Sequence, residues 1–164
     1  MLLMPDLLES VVGRMLSDQK LTICTAESCT GGLVGHRLTN IAGSSAYVMG
    51  GIIAYSNLVK QQVLGVSEST LIRYGAVSEQ TALEMAIGAL RVIGADIAVS
   101  ITGIAGPGGG TAEKPVGLTY IGLADKDGIY QVERYIWQSD REGNKHASAE
   151  AALRLIMTYL QGKI

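Results

Sequence analysis

The chain contains no phenylalanine, one tryptophan, two histidines and two cysteines among its 164 residues. Without phenylalanine, a core must be filled by leucine, isoleucine, valine, alanine and methionine. The cysteines, Cys24 and Cys29, are five positions apart and lack both CxxC spacing and a matching pair of histidines. The sequence therefore predicts reduced thiols, no metal site and no cofactor.

Long apolar runs and an excess of charge of one sign are also missing. Thirteen basic and fifteen acidic residues give a net charge of -2 without a basic patch, which does not favour a nucleic-acid partner. No apolar stretch approaches the roughly 20 residues that span a bilayer, and residues 1–6 are typical of the lead-in to a helix. We expect a soluble, cytoplasmic protein with no membrane partner. A mean hydropathy of +0.27 favours a homodimer or a larger homo-oligomer.

The order of the apolar patterns predicts one α/β domain over residues 1–164. Helices are predicted over 7–16, after Gly32, over 57–64 and 67–74, after an N-cap at Ser78, and over 147–160. Strands are predicted over 21–24, 46–55, 97–101, 116–124 and 129–137, the last two forming a hairpin around a turn at 125–128. Because helices and strands alternate first and the hairpin comes late, we predict a mixed sheet between helical layers.

The segment 25–32, Thr-Ala-Glu-Ser-Cys-Thr-Gly-Gly, lies where an apolar run stops and a helical pattern begins. A serine at such a turn, here Ser28, is presented at the carboxyl edge of the sheet. The free N–H groups of the first helical turn can hold an oxyanion or a phosphate there. Two alternatives remain open. Ser28 or Thr30 can be a plain helix N-cap, and Cys29 can replace Ser28 as the nucleophile, although neither histidine is predicted to lie near it.

Two further loops follow predicted strands. In the first, Lys60 comes one helical turn after Asn57 and five residues after Tyr55, so these three side chains can surround one site. In the second, a glycine-rich loop begins at Thr102 and extends to residue 110. Its backbone N–H groups can form an anion nest, or the loop can simply turn a corner. Ligand crevices of α/β sheets form where such loops gather.

Five motifs carry a resemblance to a known family. They are AESCTGG at 26–32, AGSS at 42–45, YSNxxK at 55–60, GAVSE at 75–79, and SITGIAGPGGG at 100–110 followed by EKPVG at 113–117. The chain closely resembles the CinA C-terminal domain family over essentially its whole length, with the motifs in family order. It looks like the stand-alone form, which lacks the N-terminal molybdopterin-binding-like domain of the longer proteins.

The resemblance implies a three-layer α/β/α fold and a nicotinamide-nucleotide amidohydrolase. Such an enzyme converts nicotinamide mononucleotide (NMN) to nicotinate mononucleotide and ammonia in pyridine-nucleotide salvage. The family's nucleophile corresponds to Ser28 and its base to Lys60, while Tyr55 and Thr102 fall in matching motifs as plausible helpers. The family's Gly-Asp-Arg segment corresponds to residues 139–141 and supplies Arg141. This chain departs from the pattern with serine at 139 and with Asn-Lys at 144–145, where a second arginine often follows.

Elementary chemistry agrees with these roles. An amide is a poor electrophile, so a serine needs a base within hydrogen-bond reach. Without a convincing histidine the candidate is Lys60, which must be neutral; lowering a lysine pKa from about 10.4 to about 7.5 costs roughly 4 kcal/mol, which desolvation can supply. Glu27 can act as a base or order the loop, and we favour ordering. The predicted oxyanion and substrate-binding residues are Cys29, Thr30, Gly31, Gly32, Asn57, Gly103, Gly106 and Arg141, the glycine loop and Arg141 holding the phosphate.

Two other classes of function remain open. One is a non-catalytic nucleotide-binding or protein-interaction module linked to competence or DNA damage, against which the presence of both Ser28 and Lys60 argues. The other is a hydrolase of the same mechanism that acts on a different amide.

Overall fold

The computed structural model describes residues 7–164, and the predicted lead-in at residues 1–6 lies outside them. The helices are α1 (Leu8–Gln19), α2 (Leu33–Thr39), α3 (Asn57–Gln62), α4 (Glu68–Tyr74), α5 (Glu79–Ile93) and α6 (Arg141–Leu160). The strands are β1 (Ile23–Glu27), β2 (Val48–Ile53), β3 (Ile97–Gly103), β4 (Leu118–Asp125) and β5 (Tyr130–Ile136). None of the helices within 7–164 has the length and apolar character to cross a bilayer.

The strands form one sheet in the order β2-β1-β3-β4-β5. β1 runs parallel to both β2 and β3, whereas β4 pairs antiparallel with β3 and with β5. The predicted mixed sheet with a late hairpin is therefore confirmed. Since β1, β2 and β3 are parallel, the segments that follow them emerge at one edge of the sheet.

Helices cover both faces of the sheet. On one face α1, α2 and α6 pack on large strand residues such as Ile23, Val99 and Ile121. On the other face α5 packs on small residues, among them Ala26 and Ala98. A Cβ on Gly122 would lie 2.9 Å from the carbonyl oxygen of Ala82 in α5, so small strand residues let this helix approach closely. The three-layer α/β/α fold is confirmed.

Some predicted boundaries were wrong for identifiable reasons. β1 extends to Glu27, three residues beyond its predicted end, because the polar residues of the motif continue the strand. α6 begins at Arg141, six residues early, because its first turns are polar and carry no apolar pattern; the N-cap Asp140 accepts from the N–H of Gly143. The predicted N-caps Ser67 and Ser78 are confirmed, since their hydroxyls accept from the N–H groups of Thr70 and Thr81.

Candidate active site

The segments that follow β1, β2 and β3 meet around a small cavity at the carboxyl edge of the sheet. Its volume is about 180 Å³. It is lined by Ser28, Cys29, Tyr55, Asn57, Lys60, Ala76, Val77, Thr102, Gly103, Ala105 and Arg141. The structure therefore brings together the four residues predicted as catalytic and four of those predicted to bind substrate.

Ser28 immediately follows the last residue of β1, and its backbone remains tied to the sheet. Its N–H donates to the carbonyl oxygen of Ile101 in β3 at 2.9 Å. The hydroxyl oxygen of Ser28 lies 3.0 Å from the side-chain nitrogen of Lys60. The rigid edge of the sheet thus holds a serine hydroxyl within hydrogen-bond distance of an amine.

Lys60 is buried to an extent rare for its residue type, with 2% of its surface exposed. Besides Ser28, its Nζ contacts two backbone carbonyl oxygens, those of Ala54 at 2.9 Å and Tyr55 at 3.3 Å. No carboxylate of residues 7–164 forms an ion pair with it. Burial lowers the pKa of Lys60 below its ordinary value, because desolvation penalises the charged form.

The three contacts of the Lys60 Nζ limit where its N–H groups can point. A neutral amine has two N–H donors and one lone pair, whereas an ammonium has three donors and no acceptor. The carbonyls of Ala54 and Tyr55 can only accept, so they take two N–H groups. The third contact is with the Ser28 hydroxyl: an ammonium donates to that oxygen, whereas a neutral amine directs its lone pair toward the hydroxyl, as a general base must.

The turn after Ser28 corrects two expectations. Helix α2 begins at Leu33, and its N-cap is Gly32 with a left-handed backbone, so neither Ser28 nor Thr30 caps it. The N–H groups of its first turn are not free, since those of Val34 and Gly35 donate to the Glu27 carboxylate at 2.9 and 3.0 Å. They cannot hold an oxyanion.

Of the predicted oxyanion groups, Gly31 is also committed, its N–H donating to the carbonyl oxygen of Ser28. The N–H groups of Cys29 and Thr30 donate to no other residue within 7–164. Thr30, Gly31 and Gly32 line a neighbouring cavity instead of this one. The available donors beside Ser28 are therefore the N–H groups of Cys29 and Thr30.

Glu27 is the organising residue of this turn. Its carboxylate is 1% exposed and accepts the Thr30 hydroxyl at 2.6 Å as well as the two helix N–H groups. A carboxylate at a helix N-terminus is also stabilised by the helix dipole. These contacts support the ordering role that we favoured over that of a base.

Cys29 lacks the properties of a nucleophile. It is 6% exposed, and burial raises the pKa of its thiol to about 11, so the thiol stays protonated at neutral pH. Both cysteines are free thiols. His36 and His146 line the neighbouring cavity, so neither is placed to activate Cys29. Residues 7–164 contain no group of three or more histidine, cysteine or acidic residues able to hold a metal.

Arg141 joins three parts of the site. Its guanidinium donates to the carbonyl oxygen of Gly106 at 2.7 Å and to the Tyr55 hydroxyl at 3.1 Å. Gly106 thus contributes a carbonyl to the site through Arg141 and does not line the cavity itself. Tyr55 is 62% exposed, so its ring stands at the mouth of the cavity. Asn57 lines the same mouth.

Thr102 and Gly103, the last two residues of β3, pack closely against neighbouring segments of the site. The buried Thr102 hydroxyl donates to the carbonyl oxygen of Ala76 at 2.6 Å, which fixes the segment that contributes Ala76 and Val77. A Cβ on Gly103 would lie 2.9 Å from the carbonyl oxygen of Leu118 and 3.1 Å from the Cys29 sulfur. Only glycine fits there without displacing the residue next to Ser28.

Sequence reasoning assigned no role to three residues of the site. Ala76 and Val77 fall within the GAVSE motif, which carries the family resemblance but was given no chemical role. Asn144 is 2% exposed; its side-chain amide donates to the carbonyl oxygen of Ala105 and accepts from the N–H of Ser139. It therefore fixes the glycine loop to the start of α6. The signal available was its place in the Asn-Lys pair at 144–145, where this chain departs from the family pattern.

Comparison with known proteins identifies relatives over most of the chain. The family model of the CinA C-terminal domain matches residues 6–160. The chain is 52% identical over 158 residues to a CinA-like protein of Chlorobaculum tepidum and 54% identical over 158 residues to one of Chlorobium limicola. Each comparison covers 94% of this chain and 37% of the relative, so the chain spans less than two fifths of the length of these curated relatives.

Solved structures share the fold over nearly their whole length. The competence/damage inducible protein CihA from Agrobacterium tumefaciens is 44% identical, with a TM-score of 0.89, and the comparison covers 98% of this chain and 99% of that one. A competence-damaged protein (CinA) superfamily protein from Klebsiella pneumoniae is 33% identical with a TM-score of 0.91, covering 94% and 96%.

Proposed function

The chain belongs to the CinA C-terminal domain family, and from this premise we propose that it is a nicotinamide-nucleotide amidohydrolase. The reaction takes NMN and water to nicotinate mononucleotide and ammonia. The observation that carries the proposal is the distance of 3.0 Å between the Ser28 hydroxyl and the buried Lys60 amine, which line one small cavity. Ser28 is the nucleophile and Lys60 is its general base.

In the first half of the reaction, neutral Lys60 takes the hydroxyl proton as the Ser28 oxygen attacks the carboxamide carbon. The N–H groups of Cys29 and Thr30, which have no other partner within 7–164, are the proposed donors for the oxyanion that forms. The intermediate collapses as Lys60 returns the proton to the departing nitrogen, which leaves as ammonia. The nicotinoyl group is then an ester of Ser28, and Lys60 is neutral again.

In the second half, water replaces the amine. Lys60 removes a proton from the water as its oxygen attacks the ester carbon. The second tetrahedral intermediate expels the Ser28 oxygen, which recovers the proton from Lys60. The product carboxylic acid loses its proton to solvent, so the enzyme returns to its starting state with one amide bond hydrolysed.

Burial of Lys60 favours catalysis over a purely binding or interaction module. Placing an amine in a desolvated site costs free energy, because its charged form is penalised. A binding module gains nothing from a neutral amine directed at a serine hydroxyl. The same cavity would serve a hydrolase of another amide, so the substrate is decided by measurement.

The test is ammonia release by the purified protein from NMN, free nicotinamide and glutamine, supplied separately. We expect stoichiometric formation of ammonia and nicotinate mononucleotide from NMN and negligible release from the other two. Release from glutamine or nicotinamide in preference to NMN would reassign the substrate. No release from any of the three would contradict the proposal.

A further inference from the structure

We infer that a second cavity beside the catalytic one binds a phosphomonoester, and that Lys145 is the residue that recognises it. This cavity has a volume of about 550 Å³ and lies between the turn at residues 30–33 and the start of α6. The inference rests on the proposed function for the identity of the whole substrate, of which the phosphomonoester is one end.

Size is the first argument. Cavities that enclose small ligands usually measure about 300–1,000 Å³, so the 180 Å³ catalytic cavity holds only the part of a nucleotide that carries the amide. The rest of the molecule needs an adjoining space. Arg141 lines both cavities and therefore stands at the boundary between them. A nucleotide with its amide at Ser28 can extend past Arg141 into the larger cavity.

Charge is the second argument. Lys145 lies four residues after Arg141 on α6, on the same helix face, and both line the larger cavity. Arg141 is already occupied by the Gly106 carbonyl and the Tyr55 hydroxyl. Lys145 makes no hydrogen bond or ion pair with any residue in the described range 7–164. A half-buried cation without a partner in a concave site favours an anionic ligand.

The remaining charges of this cavity leave Lys145 available. Glu142 is the single carboxylate among the lining residues, its side chain is 86% exposed, and it lies 3.8 Å from the His146 ring nitrogen, an ion pair only when that histidine is protonated. His36 lines the wall nearer α2 and adds positive charge only when protonated. No carboxylate therefore competes with a ligand for the Lys145 ammonium.

The opposite wall leaves room for a phosphate group. Gly31 and Gly32 have φ values of +61° and +102°, a backbone conformation that side-chain-bearing residues rarely adopt. The Lys145 Nζ lies 3.8 Å from the place where a Cβ of Gly31 would stand. The absence of side chains at these two positions keeps the space in front of Lys145 open. A phosphate there lies on the α2 side of Arg141, away from the glycine-rich loop that we first expected to hold it.

The experiment measures binding separately from catalysis. The probes are ribose 5-phosphate and unphosphorylated ribose, titrated into the intact protein by calorimetry. We expect ribose 5-phosphate to bind and ribose not to, and Lys145→Met to weaken the binding of ribose 5-phosphate at least about tenfold, as befits loss of a charge-assisted contact. Lys145→Arg should keep most of the affinity. Lys163→Met, which removes an exposed lysine near the C-terminus, is the matched control and should change nothing.

Ammonia release from NMN by the same variants distinguishes the two proposals. If both hold, Lys145→Met raises KM for NMN with little change in kcat, since the phosphate is remote from the reacting carbon. If NMN is not hydrolysed but Lys145→Met still weakens ribose 5-phosphate binding, the anion site stands and the proposed substrate falls. Equal affinity of the wild type and Lys145→Met for ribose 5-phosphate, or no binding by either, would overturn the anion site.

Discussion

Lys60 is the residue on which the proposed chemistry depends. Its amine, a group that is normally solvated, contacts a serine hydroxyl and two carbonyl oxygens. The lowered pKa follows from the burial of this amine, and it makes the unprotonated base more accessible than in a solvated lysine. A base and a merely electrostatic cation have different consequences when the side chain is changed.

Replacing Lys60 by arginine separates these two roles. Arginine keeps the charge but cannot accept a proton from Ser28, so we expect Lys60→Arg to lose kcat nearly as severely as Lys60→Ala, by at least about 10²-fold. In the wild type, kcat/KM should rise with pH as Lys60 loses its proton, through an apparent pKa below the ordinary 10.5. Lys60→Arg with near wild-type turnover would assign Lys60 to substrate binding instead.

Stability measurements test the lowered pKa of Lys60 without substrate. Consider the pH range between the pKa of Lys60 in the folded protein and its ordinary pKa near 10.5 in the unfolded chain. In this range the unfolded chain binds more protons, so the free energy of unfolding of the wild type rises with pH. Lys60→Met does not titrate. The free energy of unfolding of Lys60→Met, relative to that of the wild type, should therefore be highest below the pKa of Lys60 in the folded protein. It should fall as the pH rises through this range.

The size of that fall is about 1.4 kcal/mol for each unit by which the pKa is lowered. Urea unfolding at a series of pH values measures it. Lys163→Met, at an exposed lysine, is the control and should show no such slope. A difference between Lys60→Met and the wild type that is independent of pH would mean that Lys60 keeps an ordinary pKa in the folded protein.

The turn between β1 and α2 is held by one carboxylate. Glu27 closes the last position of the strand and accepts from the first turn of the helix, so it fixes the residues between them, including Ser28 and the N–H groups of Cys29 and Thr30. Strand, turn and helix are therefore coupled through a side chain that does not line the catalytic cavity.

Glu27→Gln should impair both stability and catalysis. An amide has one acceptor oxygen and no charge, so at least one helix N–H loses its charge-assisted bond, at a cost of about 1.5–3 kcal/mol in the free energy of unfolding. Because the turn positions Ser28, kcat should fall by about tenfold or more, with a smaller change in KM.

A second carboxylate supplies the control for that prediction. Glu84 performs a similar task elsewhere, accepting from the N–H of Ser67 and the hydroxyl of Thr70 at the start of α4. Glu84→Gln should destabilise the protein by a comparable amount while leaving kcat unchanged. Equal effects of the two substitutions on kcat would show that Glu27 acts only through overall stability.

The five-stranded sheet brings three distant parts of the chain together. Parallel β1, β2 and β3 end at one edge, and this shared edge was predictable because the strand and helix patterns alternate in the first two thirds of the chain. The same reasoning predicted that Ser28, Lys60 and Thr102 would share a crevice, and they line one cavity.

Local patterns could not predict the environment of each side chain. A lysine in a short helix is usually solvated, and no sequence signal places the carbonyls of Ala54 and Tyr55 around Lys60. The start of α2 after Gly32 was predicted, but not the carboxylate that satisfies its first turn, because Glu27 belongs to the preceding strand. Such contacts depend on tertiary packing.

Exposed apolar side chains along the β2 edge of the sheet bear on assembly. Met49 and Ile53 of β2 are 54% and 55% exposed, and nearby in the chain Leu58 is 58% exposed. An edge strand with exposed apolar residues favours association. We therefore expect a homodimer or a larger homo-oligomer by sedimentation equilibrium, and Met49→Lys should shift it toward the monomer. A monomer at all protein concentrations would contradict this expectation.

Ammonia release by Ser28→Ala is the most direct test of the Ser28–Lys60 mechanism. The variant should remain folded, bind nicotinate mononucleotide with an affinity close to that of the wild type, and release ammonia from NMN at least about 10³-fold more slowly. Circular dichroism and calorimetry verify the fold and the binding. A folded Ser28→Ala variant that releases ammonia from NMN at the wild-type rate would contradict the account, because the hydrolysis would then proceed without the serine to which Lys60 is directed.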